Sequence, residues 1–241
     1  MIQFRDLHKA FDGHVVLDGF TLEVKDGETM VIIGLSGSGK SVALKHVVGL
    51  LQPDAGDVIV DGRPVSQLDR EGLMALRREI GFVFQFTALF DSLTVAENVA
   101  LGLRRRGLSE EAIAQRVGEA LKLVDLAGTD DRLPAELSGG MRKRVGIARA
   151  IALQPRYILY DEPTTGLDPV TSAVMNQLMV RTRERLGVTG IVVTHDMRTA
   201  YTVGDRIAML SEGRVRQVGS VAEIQATADP VVRQFIEGRP E

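Results

Sequence analysis

The stretch Gly34-Leu35-Ser36-Gly37-Ser38-Gly39-Lys40-Ser41 decides the fold, because its spacing is G-x-x-x-x-G-K-S. The apolar run 29–33 precedes it and predicts a buried strand, and residues 42–48 follow it and predict a helix. A glycine-rich loop between a strand and a helix is the setting of a phosphate-binding P-loop. The alternative is an ordinary Gly/Ser turn, and the flanking strand and helix weigh strongly against it.

The chemistry of this loop predicts a nucleotide site. Its glycines let successive backbone N–H groups turn toward one point, and the following helix directs its positive end there. Lys40 is predicted to neutralise the β- and γ-phosphates, and the Ser41 hydroxyl is predicted to hold Mg²⁺. We therefore expect residues 34–41 to bind a nucleoside triphosphate together with Mg²⁺.

Length and composition bound the class of protein. The 241 residues suit one large domain, and 44% hydrophobic residues are enough for a core. The net charge of −3 argues against a nucleic-acid partner, and the absence of cysteine excludes disulfides and thiolate sites. The start at residues 1–6 does not resemble a signal peptide, and no run approaches the ~18 apolar residues of a membrane helix. We expect a cytoplasmic chain that other subunits hold at any membrane where it works.

The rest of the chain alternates strand and helix patterns, which predicts an α/β fold with a mostly parallel sheet covered on both faces. The N-terminal strands are expected to be short and antiparallel. A short predicted strand starts at 2–4, and further predicted strands cover 20–24, 57–60, 80–84, 157–160, 190–194, 206–210 and 214–218. Predicted helices cover 70–78, 94 to about 104, 109–124, 138 to about 153 and 169–186.

Four of the apolar strands end at residues suited to a ligand site: Gly34, Gln85, Asp161 and His195. In open α/β sheets the ligand lies outside the carboxyl ends of the strands, so these residues are predicted to share one site. Asp161 and Glu162 together suit a metal ligand and a base, although such a pair also often starts a helix. His195, taken alone, is more often a satisfied polar residue at a strand end than a functional one.

Three further segments carry open alternatives. Phe11 lies in a predicted turn, where it is either a half-buried hydrophobe or a surface for stacking a base. Residues 86–95 are apolar with turn formers between them, so they form either a docking groove or interior packing. Ser138 is placed to cap a helix whose first turns carry the basic cluster 142–144. That cluster is either a solvated face or a surface that meets phosphates or a partner.

These motifs in this order resemble an ABC-transporter nucleotide-binding subunit. The resemblance rests on the P-loop, Gln85, the Leu-Ser-Gly-Gly sequence 137–140, the strand leading to Asp161-Glu162, and His195. It implies a single ABC cassette over 1–241 with an N-terminal antiparallel β subdomain. A RecA-like core would occupy about 1–85 and 155–220, a helical subdomain about 86–154, and a helical tail 221–241.

The resemblance also implies roles for individual residues in binding and hydrolysing ATP. Phe11 would stack on adenine, and Asp161 would hold Mg²⁺ through water. Gln85 would approach Mg²⁺ and sense the γ-phosphate. Glu162 would polarise the attacking water as general base, and His195 would contact the γ-phosphate and orient that water.

A second copy of the chain is the first partner that the resemblance implies. In a head-to-tail dimer, each ATP would lie between one P-loop and the partner's signature residues Ser138, Gly139 and Gly140. Asp168 would link the two sites. Met141 departs from the glutamine that is common in the family, so one hydrogen-bonding side chain is absent from the signature.

The strings 34–45, 88–95 and 137–145 resemble, more closely, the ATPases of Mla/MCE lipid-transport systems. This implies transport of phospholipids between the inner membrane and the outer envelope, with the chain peripheral on the cytoplasmic face. The partners would be a membrane permease docking near residues 86–95, an MCE lipid-binding subunit and a STAS-domain subunit. A soluble ABC-type ATPase and an ABC ATPase for another cargo are the alternatives.

Overall fold

The computed structural model describes residues 1–239, so the last two residues of the predicted tail lie outside the described part. The strands are β1 Ile2–Phe11, β2 His14–Val24, β3 Thr29–Ile33, β4 Ala55–Val60, β5 Arg63–Pro64, β6 Ile80–Val83, β7 Tyr157–Asp161, β8 Thr189–Thr194, β9 Arg206–Ser211 and β10 Arg214–Ser220. The helices are α1 Lys40–Val47, α2 Arg70–Arg78, α3 Val95–Arg104, α4 Glu110–Leu123, α5 Gly139–Ile151, α6 Pro169–Leu186, α7 Met197–Val203, α8 Val221–Gln225 and α9 Pro230–Glu237. The chain divides into two compact units: unit 1 is Met1–Arg77 together with the chain from Thr189 onward, and unit 2 is Arg78–Val188.

Unit 1 contains an antiparallel sheet with the strand order β2-β1-β4-β5. Ile2 lies opposite Val24 on one side and Val60 on the other. Phe4 and Phe20 meet edge to face with ring centroids 5.1 Å apart, which gives this sheet a buried aromatic pair. β1 starts at residue 2 as predicted but is longer than the short strand expected, because register shifts let its polar second half remain paired with β2 up to residue 11.

Unit 1 also contains the strand order β10-β9-β3-β8, in which β3 runs parallel to both β8 and β9. All five residues of β3 and all six of β8 are buried, as expected for parallel strands covered on both faces. The predicted hairpin is confirmed, since β9 and β10 pair antiparallel around the turn at 212–213. The predicted α/β class, with its N-terminal antiparallel sheet, is confirmed.

Unit 2 contains the parallel pair β6–β7 and the helices α3 to α6, of which α5 packs against α3, α4 and β6. Its helices begin where the sequence predicts. Thr94 and Glu97 form the predicted capping box, and Ser109, Ser138 and Asp168 accept backbone N–H groups at the starts of α4, α5 and α6.

Two predicted boundaries are wrong at the ends of elements. The strand predicted over 80–84 ends at Val83, so Phe84 and Gln85 already belong to the following loop. The helix predicted to reach 153 ends at Ile151. Within the described residues, no helix is long and apolar enough to cross a membrane.

Candidate nucleotide site

The P-loop of unit 1 connects β3 to α1, and two of its glycines have the left-handed backbone conformation. Gly37 has φ +81° and Gly39, the N-cap of α1, has φ +101°. At Gly34 a Cβ atom would lie 2.4 Å from the carbonyl oxygen of Leu210, so only glycine fits there. The first turn of α1 contains no acidic residue, which leaves its positive end uncompensated.

Two buried polar groups lie in this loop and at the first residue of α1. Lys40 is buried, and its Nζ donates to the carbonyl oxygens of Gly34 and Leu35, both at 2.8 Å. The Ser38 Oγ is buried without a hydrogen-bond partner among the described residues. A buried hydroxyl without a partner is costly, and a phosphate oxygen would satisfy it. The loop therefore fits a phosphate group.

His195 follows β8, the direct neighbour of the strand that leads into the P-loop. Ile33 at the end of β3 lies opposite Thr194 at the end of β8, so both following segments leave the same sheet edge. The His195 side chain is exposed, and Asp196 directly after it caps α7 by accepting the Arg198 N–H at 2.9 Å. Within unit 1 the structure thus brings together the P-loop and His195, as predicted.

Phe11 lies at the end of β1 and is 41% exposed. The Lys9 ammonium lies 5.4 Å from its ring centroid and also pairs with Asp54 at 2.7 Å. The Lys9 ammonium thereby covers one face of the Phe11 ring in a cation–π contact, and a substantial part of the ring remains accessible to a planar ligand. The structure places Phe11 at the end of a strand rather than in the predicted turn, and base stacking remains a prediction.

In unit 2, β6 and β7 end side by side. Val83 lies opposite Tyr160, so Gln85 and the pair Asp161-Glu162 leave neighbouring strand ends. Both carboxylate residues are buried, with 6% and 8% exposure. Glu162 has φ +48°, a strained value for a residue with a side chain. The structure brings these three residues together as predicted.

The signature segment begins α5. The Ser138 Oγ accepts the Met141 N–H at 3.3 Å, so the predicted cap is confirmed. A Cβ on Gly139 would meet no atom closer than 4.0 Å, whereas one on Gly140 would lie 2.5 Å from the Thr171 Cγ2. Gly140 therefore allows α5 to pack closely against α6.

Asp168 caps α6, because its Oδ1 accepts the N–H groups of Val170 and Thr171 at 2.9 and 3.0 Å. Hydrogen bonds from the side chain and backbone of Thr171 lower the pKa of Asp168. The structure thus gives this residue a local capping role, and its predicted link between two sites is still only a prediction.

The basic cluster 142–144 is not a solvated face, because its side chains are half-buried, while its contact with phosphates or a partner stays a prediction. Each cation binds backbone carbonyls within unit 2. Arg142 donates to Leu137 O at 2.6 Å, and Arg144 donates to the carbonyls of Val124 and Asp125 at 3.1 Å. Lys143 donates to the turn after Glu162. These side chains stabilise loops that lack regular backbone pairing.

The loop 84–93 is fixed by two polar residues that the sequence analysis did not single out. The fully buried Asn98 accepts the Phe90 N–H at 2.8 Å and donates to the carbonyls of Phe90, Leu93 and Thr94. Arg149 donates to the carbonyls of residues 87 and 88 at 2.7 and 2.6 Å, and burial lowers its pKa. The sequence does contain a signal for Asn98: it is a polar residue at a position of α3 where the helical spacing of apolar residues predicts burial.

Comparisons with known proteins agree on one family. The family model for "ABC transporter" matches residues 17–165. The chain is 41% identical over 240 residues to the methionine import ATP-binding protein MetN of Carboxydothermus hydrogenoformans, covering 98% of this chain and 71% of that protein. It is 39% identical over 239 residues to the probable ribonucleotide transport ATP-binding protein mkl of Mycobacterium leprae, covering 99% and 69%.

Solved structures are similar in fold and sequence. The dimeric post-hydrolysis state of the ATP-binding cassette MJ0796 bound to ADP and Pi matches with a TM-score of 0.84 and 37% identity, covering 92% of this chain and 99% of that one. The cbiO1 structure from Clostridium perfringens, part of the ABC transporter complex cbiONQ, matches with a TM-score of 0.87 and 33% identity, covering 97% and 93%.

The fold and the glycine-rich loop define a P-loop nucleotide-binding protein. The chain belongs to the ABC transporter family, as its ATP-binding cassette. It is an ATPase whose hydrolysis is coupled to transport.

Proposed function

We propose that this cassette powers a membrane permease by binding and hydrolysing MgATP in a dimer of two copies. The observation that carries the proposal is the P-loop at the positive end of α1. Its glycines are left-handed, and its Ser38 Oγ has no hydrogen-bond partner within residues 1–239. In this proposal Lys40 moves from the loop carbonyls to the β- and γ-phosphates, and Phe11 stacks on adenine.

The side chains available suit Mg²⁺ if the nucleotide and water supply most of its oxygen ligands. Among residues 1–239, no group of three His, Asp or Glu side chains could hold a metal by itself. Mg²⁺ normally takes one or two protein ligands, substrate phosphates and water. We assign Ser41, Gln85 and Asp161 as the residues that hold it, the last through water. When bound, the metal supplies charge neutralisation at the β- and γ-phosphates.

Hydrolysis is assigned to residues that follow the ends of strands. Glu162 accepts the proton of the attacking water, and the Thr165 hydroxyl, which donates to its Oε2 at 3.0 Å, fixes that carboxylate. His195 orients the water and contacts the γ-phosphate, and Gln85 senses whether that phosphate is present. Positioning and charge stabilisation account for most catalysis of this type, so small displacements of these groups are expected to be costly.

The second copy completes each site in this proposal. The solved cassette MJ0796 is dimeric, and the start of α5 in the present chain carries a capped helix end with an open position at Gly139. Such a helix end favours an anion. Ser138, Gly139 and Gly140 would therefore meet the γ-phosphate bound to the partner's P-loop, and Asp168 would lie between the two sites.

A permease is proposed to dock near residues 86–95, most of which belong to the loop 84–93. Phe86 is 83% exposed and Phe90 is 57% exposed, although large aromatic side chains are normally covered. Asn98 and Arg149 hold the backbone of this loop, so the aromatic rings are presented on a fixed support. A fixed, exposed aromatic pair suits the apolar face of a short helix from a membrane partner.

Changing both aromatics to serine is expected to weaken the complex with the permease by at least about tenfold, because exposed aromatic anchors dominate such interfaces. The measurement is recovery of the permease with the cassette from detergent-solubilised membranes of the native host. Val218→Ser removes another exposed apolar side chain in unit 1 and serves as the control. Equal recovery with both variants would place the permease elsewhere.

Phospholipid is the cargo that we propose, on the resemblance of residues 34–45, 88–95 and 137–145 to Mla/MCE ATPases. An MCE lipid-binding subunit and a STAS-domain subunit would complete the complex at the inner membrane. The second candidate is import of a small solute, favoured by the 41% identity to a methionine import protein.

Mass spectrometry of the purified complex distinguishes these cargoes. We expect phospholipid to co-purify and ATP to change its occupancy, while methionine leaves the ATPase rate unchanged. Stimulation of the ATPase by methionine, with no bound lipid, would favour the second candidate. Recovery of the cassette with ribosomes or DNA and no membrane protein would contradict a transport role altogether.

A further inference from the structure

Lys143, in the second turn of α5, contacts the turn that carries Glu162. Its Nζ donates to Thr165 O at 2.6 Å and to Pro163 O at 3.0 Å, and lies 3.5 Å from Glu162 O. An ammonium group has three donors, and here all of them point to consecutive parts of one turn. The side chain is half-buried, so these contacts replace water that it has lost.

The turn that Lys143 holds is strained and short. The Thr165 N–H donates back to Glu162 O at 3.3 Å, which closes residues 162–165 into a turn. Glu162 itself has φ +48°, and such a backbone costs about 1–3 kcal/mol for a residue with a side chain. Strain of this size persists only when neighbouring groups hold it, and Lys143 is such a group.

Charge adds to the geometric argument. Burial lowers the pKa of Lys143, while attraction to Glu162 acts in the opposite direction. A half-buried ammonium is retained at a cost, and a neutral side chain of similar length would avoid that cost. The position of Lys143 is therefore better explained by its hydrogen bonds to the turn 162–165 than by a contribution to the stability of α5.

We propose that Lys143 is a positioning residue for hydrolysis: it fixes the backbone turn that aims the Glu162 carboxylate. The signature helix and the catalytic turn of the same chain then move as one body. This inference rests on the proposed role of Glu162 as general base. Lys143 acts through the turn and does not touch the nucleotide in this account.

The test compares Lys143→Met with Lys143→Gln. Methionine keeps the stem but loses all three donors, whereas glutamine keeps an amide that can donate to two carbonyls. We expect Lys143→Met to lower kcat by about 10–100-fold, because misplacement by about 1 Å has that effect on catalysis. Affinity for a non-hydrolysable ATP analogue is expected to stay within about twofold, and Lys143→Gln is expected to recover part of kcat.

Lys122→Met is the matched control, because Lys122 is an exposed lysine at the end of α4 in the same unit. Its kcat is expected to equal that of the unmodified chain. Wild-type kcat in Lys143→Met, or an equal loss in the control, would overturn the inference. Should Lys143→Met fail to fold, Lys143→Ala, which also lacks all three donors, decides: reduced kcat with unchanged nucleotide affinity supports the inference, and wild-type kcat overturns it.

A double variant separates this inference from the proposed function. If Lys143 acts through Glu162, adding Lys143→Met to Glu162→Gln is expected to cause no further loss in single-turnover hydrolysis. Multiplied losses would mean an independent role and would overturn the inference. Normal turnover in Glu162→Gln alone would instead overturn the proposed role of Glu162. Slower hydrolysis in Glu162→Gln together with normal hydrolysis in Lys143→Met would overturn only the role of Lys143.

Discussion

Glu162→Gln is expected to lower ATP turnover by about 10³-fold or more, in the upper range for removal of a general base. Glutamine has nearly the same shape, and its carbonyl oxygen still accepts the Thr165 hydroxyl that donates to Oε2 at 3.0 Å. The buried backbone turn around residue 162 is therefore retained, and only the proton acceptor is lost. ATP affinity is expected to stay within about twofold, because Glu162 acts on water in the transition state.

Two measurements on the same preparation distinguish an effect on hydrolysis from an effect on binding. The rate of phosphate release reports hydrolysis, and equilibrium titration with ATP reports affinity. Glu184→Gln removes an exposed carboxylate on α6 of the same unit and provides the control. Since ATP then remains between the two copies, size-exclusion chromatography with MgATP is expected to show a persistent dimer only for Glu162→Gln. Near-normal turnover of this variant would remove Glu162 from its assigned role.

The parts of the site that were predicted correctly depend on local signals. The P-loop spacing, the Thr94–Glu97 capping box and the Ser138 cap each involve residues no more than seven positions apart, and each appears in the structure. Buried parallel strands also have a local signature, because they are continuous apolar runs. The end of such a run predicts where a ligand-binding residue lies.

The parts that were not predicted depend on contacts between distant segments. Lys143 contacts carbonyls about twenty residues away, and Arg149 contacts carbonyls about sixty residues away. A run of basic residues has the same pattern whether it faces solvent or binds loop carbonyls, so sequence alone could not distinguish these arrangements. The length of β1 was missed for a related reason, since β2 and β4 supply its pairing.

Two single substitutions, Lys40→Ala and Gly139→Asp, are each expected to abolish most ATP turnover. Lys40→Ala removes the ammonium that the P-loop offers to the phosphates. Gly139→Asp places a carboxylate at the start of α5, where the space around residue 139 is open and the fold accommodates it. That carboxylate would repel the γ-phosphate held by the other copy. We expect each variant alone to retain less than about 1% of turnover, the scale of losing a main charge-stabilising group.

Mixing the two variants tests the central claim, that one nucleotide site is built from two copies of the chain. A heterodimer contains one site with both Lys40 and Gly139 intact, and one site with both altered. At an equal ratio, random pairing is expected to make about a quarter of all sites intact. If each chain works alone, the mixture gains nothing.

The most direct measurement is therefore the ATPase rate of the two variants mixed across a range of ratios at saturating MgATP. If each site is built from two copies, each variant alone is nearly inactive and activity rises to a maximum at equal amounts. A rate that stays at the level of the separate variants at every ratio, with heterodimers demonstrated by differential tagging, would show that each chain works alone.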